Sequence, residues 1–122
     1  MSQSSRRSQA RGVARRRSII EAALACFSER GFGETTMEQI RVRAGASTGS
    51  VYHQFRGKEE LGVEVYVEGL GMYQAGFVAE LSRHEEAEGG VRAIVGYHLG
   101  WVRQHQDWAR YLFQMRDRKS VV

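Results

Sequence analysis

Three groups of side chains in this sequence have residue types suited to chemistry, and two of them are incomplete. The first is the histidines. His84-Glu85 begins like a zinc-binding helix but lacks the second histidine that such a helix needs one turn on. His98 and His105 fall seven residues apart on one helical face, with no third ligand nearby in sequence. The second is Cys26. As the only cysteine it cannot form an internal disulfide, and it reads as a small apolar residue of a helix. The glycine-rich stretches follow no strand, so no phosphate-cradling loop is expected. The third group is the run Ser47-Thr48-Gly49-Ser50-Val51-Tyr52-His53. It sets short hydroxyls, a phenol and an imidazole around a residue with no side chain, which lets another molecule come close to the backbone. The expectation is a binding protein, not an enzyme, with no cofactor and no metal.

The elements that must carry this run are helices. Ile19, Ile20, Ala23, Leu24 and Phe27 recur at three- and four-residue spacing, which predicts a first helix over Arg15–Arg30. Gly31 ends it, and Phe32 offers an apolar anchor in the loop. Thr35 with Glu38 three residues on reads as a capping box for a second helix reaching Arg43, with Met37 and Ile40 buried. Ala44-Gly45-Ala46 is a tight turn, and Ser47 can cap a third helix from Thr48 to Phe55. Two short helices joined by a glycine-containing turn form a helix-turn-helix, here over 36–55, whose second helix enters a DNA major groove.

Beyond it, Gly57 opens a fourth helix with Leu61, Val65, Tyr66, Val67, Leu70 and Tyr73 as its apolar face, weakened by Gly62, Gly69, Gly71 and Gly76. His84–Gly90 reads as a loop. Val91, Ile94, Val95, His98, Leu99 and Val102 give the stripe of a fifth helix, and Trp108, Tyr111, Leu112 and Met115 start a sixth. The fold class expected is all-α.

Charge separates the two ends. Residues 1–60 hold 11 basic and 6 acidic side chains, and residues 61–122 hold 7 and 8. Contact with a polyanion therefore belongs to the front. Residues 1–17 carry six arginines and no acid, and a basic tail over 1–12 is expected to be disordered, serving as an arm along phosphates or into a minor groove. No stretch approaches the length of a membrane span, and no apolar segment follows the basic N-terminus, so the expected location is cytoplasmic, with no membrane partner.

The run Ile19–Phe27, then Gly31-Phe32 and Thr36, then Ile40–Leu61 resembles the opening of the TetR/AcrR family of transcription regulators. The Ala44-Gly45-Ala46-Ser47 turn, Tyr52-His53-Gln54-Phe55 and Lys58-Glu59-Glu60-Leu61 all fall in the family's register. The resemblance implies that Ser47, Thr48, Gly49, Ser50, Tyr52 and His53 lie at the DNA, with Thr36 and Lys58 on phosphate. Val51 and Phe55 would pack in the core, and Arg41 and Arg43 would be solvated charges. Arg41 stands where the family usually has a small alanine, Ala46 replaces a common valine, and Gly57 replaces a frequent serine or asparagine cap. These departures are expected to loosen the domain.

The resemblance further implies a DNA-binding domain over 13–73 and a C-terminal helical regulatory domain, incomplete here, over 74–122. It implies an operator in double-stranded DNA, a small-molecule effector and a homodimer for the full-length protein, acting as a ligand-responsive repressor. Asp117–Val122 can be back-translated as GAT CGG AAG AGC GTC GTG, which resembles a sequencing adapter, so an artefactual C-terminus is expected.

Overall fold

The structure, a computed structural model, describes residues 3–83 and 87–121. Six helices follow in order: α1 Gln3–Arg30, α2 Met37–Ala44, α3 Thr48–Gln54, α4 Lys58–Leu81, α5 Ala87–Gln104 and α6 Gln106–Val121. No strand occurs among the described residues, as expected for the all-α class. The chain divides into two compact units, Met1–Val65 and Tyr66–Val122, so the boundary falls earlier than the expected 73/74.

The core of the first unit is the one its periodicity predicts. Ile19, Ala23 and Phe27 are fully buried in α1, joined by Ile40 of α2, Val51 of α3, Phe55, and Leu61 and Val65 at the start of α4. Cys26 is also buried. Met37 is only half-buried. Phe32 packs its ring 5.1 Å from that of Phe27, which pins the loop after α1. Gly31 and Gly45 hold φ of 87° and 64°, the left-handed region that glycine enters without a steric penalty, and they end α1 and α2.

Several local expectations are corrected. Helix α1 begins at Gln3, so residues 3–12 are helical instead of disordered. The expectation weighed only the lack of packing there. Arginine, glutamine and alanine are good helix formers, and extending a packed helix needs no new nucleus. The Gln54 side chain also donates to the Gly12 carbonyl at 3.2 Å.

The capping box of α2 lies one residue later than expected. Thr35 is buried, and its hydroxyl is taken by the Gly31 carbonyl at 2.8 Å and the Cys26 carbonyl at 3.2 Å. Thr36 is the cap, accepting from the Gln39 backbone at 3.1 Å, while the Gln39 side chain accepts from the Thr36 backbone at 3.0 Å.

In the second unit α5 packs a different stripe. Val91, Val95 and Leu99 are exposed at 62%, 53% and 56%, whereas Gly90, Ile94, Tyr97 and Trp101 turn inward. The expectation followed aliphatic residues, but aromatic rings bury more area and take the contact. Val67 of α4 is likewise exposed. The loop expected over 84–90 is helical from Ala87, and its residues 84–86 lie outside the described residues.

Helix α4 runs unbroken despite its glycines. At two of them rings press against the backbone. Trp108 lies over Gly69 and Tyr97 over Gly76, too close for any Cβ. Tyr97 donates to the Tyr73 carbonyl at 2.8 Å, and Tyr73, Phe77, Tyr97 and Trp101 form one aromatic cluster. Burial and the neighbouring Tyr73 push the Tyr97 hydroxyl above its ordinary pKa.

Candidate nucleic-acid interface

Helix α3 has seven residues and two unlike faces. Val51 and Phe55, at its end, are buried. Thr48, Gly49, Tyr52 and His53 are exposed. At about 100° per residue, Thr48 and Tyr52 form one ridge and Gly49 and His53 the next, so all four share a single open face. Ser47, also exposed, caps α3 by accepting from the Ser50 backbone at 3.1 Å. Ser50 lies at the edge of the face and is half-buried. An added Cβ at Gly49 would meet nothing within 4 Å, so glycine is not required there by the unit's own packing.

Thr36 sits exposed at the start of α2, its oxygen engaged as the cap. Lys58 is not simply a free cation at the start of α4. Its ammonium donates to the Phe32 carbonyl at 2.8 Å and to the Gly33 carbonyl at 3.4 Å, and rests 4.6 Å from the centre of the Phe32 ring. It ties α4 to the loop after α1, with one N–H bond left to offer a phosphate.

The arginines are more structural than expected. Arg41 is half-buried, donates to the Ala46 carbonyl at 3.1 Å and pairs with Glu38. It therefore braces the turn between α2 and α3 instead of loosening it, and Ala46 is itself buried. Arg43 pairs with Glu29 of α1 at 2.6 Å. Arg16 was not foreseen as a site residue. It lies over the Phe55 ring at 4.9 Å and binds Glu64 at 2.7 Å. Its spacing to Ile20, Ala23 and Phe27 on the buried stripe is the signal that reveals it.

These pairs have an electrostatic consequence for the surface around α3. Glu29, Glu38 and Glu60 each stand within ion-pair distance of an arginine, which blunts the charge of these three acids. The hydrogen bond from Arg41 holds the Glu38 carboxyl below its ordinary 4.5, aided by their charge attraction. A lowered carboxylate pKa favours the folded state above the ordinary value, and that benefit disappears as pH falls through the lowered one. Glu38→Gln is therefore expected to be less stable than wild type at pH 6, with the difference closing towards pH 3. Thermal melts of both proteins across that range measure it.

Two histidines of the second unit, His98 and His105, are used locally. His98 shares a 2.9 Å hydrogen bond between its Nδ1 and the Tyr73 hydroxyl, and His105 stacks on Trp101. Residues from α4, α5 and α6, among them Tyr66, Leu70, Trp101, Val102, Arg110 and Phe113, line a cavity of about 800 Å³.

Known proteins match parts of this chain. The family of bacterial regulatory proteins called tetR matches residues 19–65. The HTH-type transcriptional repressor Rv1474c of Mycobacterium tuberculosis is 40% identical over 49 residues, covering 40% of this chain and 26% of that protein. The repressor KstR2 of the same organism is 47% identical over 47 residues, covering 38% and 24%. The crystal structure of a TetR-family regulator from Marinobacter aquaeolei superposes with a TM-score of 0.83 at 20% identity, covering 87% of this chain and 56% of that one, which shows the shared fold. The chain matches only about a quarter of the length of these curated relatives. The match over residues 19–65 and the shared all-α fold agree, and over that stretch the chain resembles the tetR family of bacterial regulatory proteins.

Proposed function

We propose that the chain is the DNA-reading part of a transcriptional repressor, with α3 seated in the major groove of double-stranded DNA. The observation that carries this is the two-faced α3. Its apolar residues are spent on the core, leaving Thr48, Gly49, Tyr52 and His53 outward on a rigid base. Ser47 and Ser50 flank them, and Thr36 and the remaining N–H of Lys58 supply phosphate contacts at the starts of α2 and α4. The names of the matched repressors support the same reading.

In the whole protein, two such helices carried by a dimer would fit successive major grooves, roughly 34–36 Å apart. A small molecule in the cavity of the second unit would control that separation. The cavity's size lies within the usual range for small-molecule sites, roughly 300–1,000 Å³. The working location is the cytoplasm, where operator DNA is reached. No helix among the described residues is long and apolar enough to cross a membrane.

The test is selection of the purified chain against a pool of random duplexes, followed by footprinting of the enriched sequences. The expected result is a shared short motif protected in the major groove. Retention of duplexes with no common motif would sink the reading of α3 as a sequence reader.

A further inference from the structure

Helix α1 extends four turns beyond the core that its later residues build, and this extension is strongly basic. Arg6, Arg7, Arg11 and Arg15 are exposed there. The first acid in the chain is Glu21. Among the described residues no carboxylate stands within ion-pair distance of these four arginines, whereas Arg16 and Arg17 are paired with Glu64 and Glu21. Arg7, Arg11 and Arg15 fall at i, i+4 and i+8, so they make one ridge along the helix. At about 1.5 Å per residue the ridge is about 12 Å long. A DNA duplex presents about seven phosphate charges over that length.

The extension is also fixed to the reading helix. Gln54, the last residue of α3, donates to the Gly12 carbonyl, and Arg16 one turn further on is held against Phe55 and Glu64. The ridge is therefore mounted on the same unit as α3 and is helical where a flexible tail would have to be ordered on binding.

We propose that α1 is a second DNA-contacting element, whose Arg7, Arg11 and Arg15 ridge grips the phosphate backbone next to the groove that α3 reads. It adds affinity without sequence preference, because phosphate contacts position a protein but carry no base information. It goes beyond the α3 contacts and rests on the reading that the chain binds duplex DNA.

The experiment uses the whole 122-residue chain and fluorescence anisotropy on two labelled duplexes, one enriched by selection and one of scrambled sequence, from 50 to 200 mM NaCl. For Arg7→Ala/Arg11→Ala/Arg15→Ala the slope of log affinity against log salt is expected to shrink by about 2–3, at about 0.9 per phosphate. Affinity at low salt should fall at least tenfold on both duplexes. The triple lysine variant should restore most of the slope. Ala10→Pro, which keeps every charge but breaks the helix, should weaken both duplexes as well. A triple alanine variant with the wild-type slope overturns the ridge, and a proline variant that binds like wild type overturns its helical presentation. A wild-type chain that binds neither duplex fails at the earlier step, the DNA-binding reading itself.

Discussion

Gly69→Ala is expected to destabilise the second unit by about 1–3 kcal/mol, the usual penalty for forcing extra volume into a packed site. A Cβ at Gly69 would overlap Trp108 Cε3 and stand 2.9 Å from Cζ3. The indole is a rigid plate, so relief requires α6 or the ring to shift as a whole. Gly76→Ala meets the Tyr97 ring, with Cζ at 2.8 Å, and relief there sacrifices the hydrogen bond from Tyr97 to the Tyr73 carbonyl. Gly71 is the internal control, because a Cβ there meets nothing within 4 Å. Gly71→Ala should stabilise the helix by up to about 1 kcal/mol through propensity alone. Urea unfolding followed by tryptophan fluorescence separates these outcomes, since Trp101 and Trp108 are the two tryptophans of the chain and both lie in this unit. Equal effects at Gly69 and Gly71 would show that ring packing does not set the identity of Gly69.

The second large effect concerns recognition. Tyr52→Ala and His53→Ala should each weaken binding to a selected duplex by about 10–100-fold, the discrimination of about 1–3 kcal/mol expected for one good base contact. On a scrambled duplex the loss should be small. Gly49→Val is the sharper probe. A Cβ at this position meets nothing within 4 Å in the free protein, so folding should change by no more than about 0.5 kcal/mol. On DNA the same side chain would stand between the α3 backbone and the groove, and selected binding should fall at least as far as in Tyr52→Ala. Competition titrations with both duplexes read the effect. A Gly49→Val protein that keeps full affinity would show that α3 does not approach the duplex closely.

The helices and the first core were legible because burial there obeys a simple period. Ile19, Ala23, Phe27, Ile40, Val51 and Phe55 stand where three- and four-residue spacing puts them. The open face of α3 was legible for the same reason, as what remains once its apolar residues are assigned. What escaped was competition between equivalent groups. Thr35 and Thr36 are identical side chains, and only the fold shows that the first is claimed by the Cys26 and Gly31 carbonyls. Arg41 looked like a surface charge because sequence does not reveal the Ala46 carbonyl it meets across the turn. In α5 two apolar stripes lie side by side, and the ring sizes of Tyr97 and Trp101 decide which is covered. The helical start of α1 was missed because helix propagation from a packed segment leaves no hydrophobic trace.

The paired threonines bear on how this loop can evolve. Segments between helices usually tolerate added or lost residues, because little depends on their length. Between Gly31 and Thr36 the backbone must deliver one hydroxyl inward to the end of α1 and the next outward to the start of α2. A single-residue insertion or deletion there would misplace one of the two roles. It would deprive either the Gly31 carbonyl of the Thr35 hydroxyl or the Gln39 amide of its cap. Homologous sequences aligned over this stretch should therefore vary in residue type but not in spacing.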